Sequence, residues 1–64
     1  MRPRKGIFYK ATDPQGREAV ARLAVTAMCK LCDLAGRDYL DRDYREQIRG
    51  EWVSLPVSPA GNPL

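Results

Sequence analysis

Pro14-Gln15-Gly16-Arg17-Glu18-Ala19-Val20-Ala21-Arg22-Leu23-Ala24-Val25-Thr26-Ala27-Met28-Cys29-Lys30-Leu31-Cys32-Asp33-Leu34-Ala35 is the stretch whose reading decides the fold. Val20, Ala24, Ala27, Leu31 and Leu34 follow the 4-3-4-3 spacing of a coiled-coil seam. Ala21, Val25, Met28, Cys32 and Ala35 repeat that spacing one position on. The polar residues Glu18, Arg22, Thr26, Lys30 and Asp33 are squeezed into one stripe. Read this way, the spacing predicts a helix over 14–35. Thr12-Asp13-Pro14-Gln15 offers its start, either as a capping box from Thr12 to Gln15 or with Asp13 capping and Pro14 first in the helix. Gly36 offers its end.

The second half of the chain extends the same pattern. Asp38 can cap a helix, and Leu40, Tyr44 and Ile48 form one apolar stripe opposite Asp41, Arg42, Arg45, Glu46 and Arg49. A second helix over 38–50 is expected, stopped at the latest by Pro56. The link between the two helices is short, so the expected fold is all-α: a helical hairpin over 12–53. It is preceded by a basic arm and short extended segment over 1–11 and succeeded by a flexible Pro-rich tail over 54–64.

Size then bears on assembly. A chain of 64 residues sits near the lower limit for folding alone. Disulfides do not fill the gap, because Cys29 and Cys32 lie three apart and a bridge between them would constrain little. Nor does zinc, since there is no histidine and a structural site wants four Cys or His ligands. No metal or cofactor is expected. The apolar sector is too wide for one short partner helix, so a homodimer is expected, with Val20, Ala24, Ala27, Leu31 and Leu34 at its interface.

Charge and motif content narrow the function class. The net charge is +3, and Arg2, Arg4, Lys5 and Lys10 supply +4 within the first ten residues. The remainder carries seven basic and eight acidic side chains. Without histidine, and without Ser or Cys beside a base, no nucleophilic constellation assembles, so an enzyme is not expected. The carboxylates Asp38, Asp41, Asp43 and Glu46 are interleaved with Arg37, Arg42 and Arg45 and read as a solvated helix face. Cys29-Lys30-Leu31-Cys32 falls inside a helical pattern and not at a helix N-terminus, where a redox motif would gain acidity. No secretory signal or membrane-spanning run is read, and free thiols fit a reducing compartment, so a cytoplasmic protein is expected.

Tyr39, Tyr44 and Trp52 share the C-terminal half with Arg42, Arg45 and Arg49, and these residue types are enriched in interface hot spots. Tyr39, Arg42, Tyr44, Arg45 and Trp52 are therefore the candidate partner-binding residues. The function expected first is a small non-enzymatic protein-binding modulator that inhibits or redirects a target protein. Short chains of this kind are frequent among phage and mobile-element inhibitors of host regulators or enzymes. The alternative is a small dimeric DNA-binding regulator whose arm uses Arg2, Arg4 and Lys5 on nucleic acid.

Two patterns accompany that alternative. A basic segment, an extended stretch from Gly6 to Ala11, a helix, Gly36 and a second helix resemble the order of the ribbon-helix-helix regulators, which implies an obligate DNA-binding dimer. The Gly36 turn resembles that of a helix-turn-helix motif. The expected first helix is much longer than the ribbon-helix-helix pattern has. The Asp-rich second helix departs from the basic recognition helix that a helix-turn-helix motif places against phosphates.

Overall fold

In a computed structural model, which describes residues 4–63, the chain is a small α/β protein. In chain order it holds β1 (Lys5–Thr12), β2 (Glu18–Ala21), α1 (Ala24–Ala35), α2 (Arg42–Glu46) and β3 (Arg49–Pro56). The strands form one sheet in the order β2-β1-β3, with both neighbours antiparallel to β1. The all-α helical hairpin is thus overturned, and the reasons are local.

The expected 14–35 helix fails at its first turn. Asp13-Pro14-Gln15-Gly16 places Asp at the first position of a type I turn, Pro at the second and Gly at the fourth. The Asp13 carboxylate accepts the N–H groups of Gln15 at 2.9 Å and Arg17 at 2.8 Å. The Asp13 and Gly16 N–H groups donate to the carbonyls of Arg17 and Asp13 at 3.0 and 3.1 Å. Gly16 has φ 87°, a left-handed conformation that a side chain would strain. These bonds close a three-residue hairpin loop, so the chain leaves it as a strand. Within β2, Ala19 and Ala21 are buried while Glu18 is exposed, a period of two. The helix begins only at Ala24, leaving 12 residues of helix. It ends where Gly36 turns to φ 68° and the Arg37 N–H reaches back to the Cys32 carbonyl at 2.9 Å.

The expected 38–50 helix shrinks to α2, a 5-residue turn of helix. Asp38 does not cap it; its carboxylate accepts the Leu40 N–H at 2.8 Å and shapes the loop. Asp41 is the cap, accepting the Tyr44 N–H at 3.1 Å. Residues 49–56 are strand, including 54–56, which were expected to open the tail. Gly50 marks the reason. A β-carbon there would meet the Tyr9 ring and hydroxyl, because Tyr9 leans from β1 across the glycine.

The two faces of the sheet differ. Tyr9, Ala11, Ala19 and Ala21 share the face that α1 covers, and Ala11 (0 % exposed) meets Ala27, Leu31 and Cys32 in the core. The alanines keep the sheet surface low, so the helix sits close to it. Phe8 lies on the opposite face and is also fully buried. Residues 57–63 double back there: Val57 pairs with Pro63, and the Arg22 guanidinium lies 5.9 Å from the Phe8 ring centre. Arg22 also donates to the Gly61 carbonyl at 2.6 and 3.1 Å. The molecule measures 44 × 17 × 17 Å, so one 12-residue helix cannot span its length. α1 packs on β1 and β2. The β3 side of that face stays open.

Candidate binding surfaces

Three places hold polar or apolar groups that the fold does not use up, or that the sequence marked as chemical. The first is the polar lock under the hairpin loop. Besides the two backbone N–H groups, the Asp13 carboxylate accepts the Arg17 guanidinium and the Tyr44 hydroxyl, each at 2.9 Å. Burial would raise its pKa, but these four donors outweigh burial and lower it from 3.8 to about 2. Tyr44 moves the other way: burial and its bond to the Asp13 carboxylate push it up to about 12. The carboxylate is saturated with donors and the phenol is held protonated, so neither is free to act as a base toward the neighbouring cavity, about 280 Å³, that they line with Arg37, Asp41, Asp43 and Gln47. The arrangement ties the hairpin to α2.

The second is a shallow groove of about 410 Å³ between α1 and the outer edge of β2. Ala19 and Val20 line it on the strand side, and Lys30, Asp33 and Leu34 on the helix side. Leu34 is 63 % exposed, as is Leu23 just before the helix. Among the described residues no strand pairs with the outer side of β2, so the groove borders an open strand edge.

The third is the β3 side of the sheet. Trp52, at 59 % exposed, stands edge-on to Tyr9 with ring centres 5.0 Å apart and planes at 74°. Ile7, 63 % exposed, lies two residues from Tyr9 on the same face. Among the described residues no strand pairs with the outer side of β3.

The expected site residues are distributed differently from their sequence grouping. A seam of Val20, Ala24, Ala27, Leu31 and Leu34 requires one continuous helix, and Val20 lies in β2. Ala27 and Leu31 are fully buried in the chain's own core, Ala24 is half-buried, and Leu34 faces outward. Of the partner-binding set, Tyr44 is buried, and Tyr39 is half-buried beneath Arg45, whose guanidinium is 4.9 Å from its ring centre. Arg42 is exposed and lies 3.9 Å from Glu46. Trp52 lies in β3, Arg42, Tyr44 and Arg45 lie in α2, and Tyr39 lies in the turn between α1 and α2. Arg2 lies outside the described residues. Arg4 is exposed, its carbonyl accepting the Val57 N–H at 3.0 Å, and Lys5 opens β1. Cys29 is exposed; Cys32 is buried, which pushes its thiol up. Ile7, Asp13 and the β3 edge were missed. The signals that could have found them were the Asp-Pro-x-Gly turn and the alternation in Trp52-Val53-Ser54-Leu55.

Among the described residues no helix is long and apolar enough to cross a membrane. Compared with family models, curated proteins and solved structures, the chain shows no significant match to any.

Proposed function

We propose that this chain is a non-enzymatic protein-binding modulator that seats a segment of a target protein in the groove between α1 and β2, inhibiting or redirecting that target. The observation that carries the reading is the groove itself: Leu34 and the β2 residues Ala19 and Val20 line it beside an open strand edge. An extended segment laid along that edge gains backbone hydrogen bonds from the strand and sets an apolar side chain against Leu34, which is the usual logic of strand addition. Lys30 and Asp33 flank the apolar floor and favour a segment carrying charges of both signs around one apolar anchor. We place the protein in the cytoplasm, where its two free thiols stay reduced.

The test is capture of the tagged protein's partners from a lysate, with and without nuclease, using the native chain and Leu34→Glu side by side. The expected result is a stoichiometric protein that survives nuclease and is lost with Leu34→Glu, while Leu40→Ser, altered at a residue 79 % exposed and outside the groove, retains it. Retention that disappears with nuclease would instead support nucleic-acid binding.

A further inference from the structure

The hydrogen-bond parity of the sheet exposes a self-complementary edge. The Val57 N–H donates to the Arg4 carbonyl at 3.0 Å, so the pair Arg4–Val57 is of the hydrogen-bonded kind. Such pairs alternate along an antiparallel ladder. Counting along the register, Gly6–Leu55, Phe8–Val53, Lys10–Glu51 and Thr12–Arg49 are bonded. Lys5–Pro56, Ile7–Ser54, Tyr9–Trp52 and Ala11–Gly50 are not. Pro56, which has no N–H, falls in the second set, where β1 asks nothing of it. Asp13 agrees, since its N–H points the other way, toward Arg17 at 3.0 Å. The backbone groups of Gly50, Trp52 and Ser54 therefore point out of the sheet, three donors and three acceptors in alternation, and the row of donors stops at Pro56.

We infer that the outer edge of β3 pairs with β3 of a second copy of this chain, antiparallel about a twofold axis at Trp52, to form a continuous six-stranded sheet. In that register Trp52 exchanges two bonds with its counterpart, and Gly50 exchanges two with Ser54 of the other copy. Every outward donor and acceptor from Gly50 to Ser54 is then satisfied. The charges agree with this register. Glu51 comes opposite Val53 and Arg49 opposite Leu55, so no like charges face each other. A twofold centred at Glu51 would set two glutamates directly opposite. One centred at Val53 would place Pro56 opposite Gly50 and leave the glycine carbonyl unpaired. Side chains favour the same solution. The two Trp52 rings meet across the axis, and Gly50 and Ser54 keep the neighbouring positions low.

Area sets the strength. Trp52 offers roughly 100 Å² of free surface per copy. Even with Ile7 and the strand backbones, the interface stays below the ~1,200 Å² of standard complexes, so the dimer is weak and concentration-dependent. β2 and its groove remain at the two far ends of the joined sheet, so pairing and target binding are independent.

Amide hydrogen exchange of the native chain, read from low to high concentration alongside sedimentation, tests the inference. Protection should appear at Gly50, Trp52 and Ser54 as the dimer forms, while Glu51, Val53 and Leu55 are protected at every concentration. Emission from Trp52, the single tryptophan, should shift to the blue over the same range. Ser54→Pro removes an outward N–H that β1 does not use and should weaken association by about tenfold or more with the circular dichroism unchanged. A chain that stays monomeric to millimolar concentration, or a dimer in which those three amides still exchange freely, overturns the inference. If Ser54→Pro fails to fold, the exchange pattern of the native chain decides alone.

Discussion

At the scale of single residues, Asp13 shows how one side chain redirects the chain. The same four letters that suit a helix cap also suit a type I turn, and the two readings share the donors of the first loop. What separates them is distant in sequence: the Tyr44 hydroxyl, 31 residues on, completes the carboxylate's set of donors. This bond makes stability depend on pH at both extremes. Asp13 has its pKa lowered to about 2 from 3.8, so its contribution to stability is fully present above about 3.8 and is lost as pH falls through about 2. Tyr44 has its pKa raised from 10 to about 12, so its contribution is present below 10 and is lost as pH rises through about 12. Tyr44→Phe removes one of the four donors to Asp13. We expect its acid unfolding midpoint, monitored by circular dichroism, to move to higher pH and its alkaline transition to flatten. An acid limb identical to that of the native chain would mean that Asp13 does not lock the hairpin to α2.

At the scale of elements, the boundaries were hard to read because two periods coincide in an alanine-rich stretch. Val20 and Ala24 satisfy a helical spacing, while Glu18, Ala19, Val20 and Ala21 equally satisfy an alternation of exposed and covered positions. Four residues cannot decide between periods of 3.6 and 2, and the small apolar side chains carry little preference of their own. The 24–35 half of the expected helix and its Gly36 end were legible, because that pattern runs for three turns and meets a glycine at φ 68°. β3 was hidden by the i+4 spacing of Ile48 and Trp52, which the Tyr9–Trp52 and Tyr9–Gly50 contacts override. The site was partly legible for the same reason: Val20, Leu34 and Trp52 were named, but within a helical hairpin over 12–53, so their true neighbours in the sheet could not be. Burial separates neighbouring leucines on α1. Leu31 is 0 % exposed and Leu34 is 63 % exposed. Leu31→Ala should cost about 2–5 kcal/mol in urea unfolding, and Leu34→Ala at most about 0.5 kcal/mol. Equal losses at the two positions would mean that α1 is packed by a different face.

At the scale of the whole molecule, the balance is between a small core and a long sheet. The core is built largely from Ala11, Ala19, Ala21, Ala27, Leu31, Cys32 and Tyr44, within a body 44 Å long. What a larger domain would cover with further helices stays open here: the α1–β2 groove on one side and the β3 edge on the other. We assign the first to a target protein and the second to a copy of the chain.

Whether the groove is the binding surface is decided by a titration of the isotopically labelled chain with the target recovered by capture, monitored through amide chemical shifts. Shifts should concentrate at Ala19, Val20, Lys30, Asp33 and Leu34, with Arg4 and Lys5 unmoved. Shifts centred on Arg4 and Lys5, with the groove amides unchanged, would contradict that assignment and move the function to the basic end of the chain.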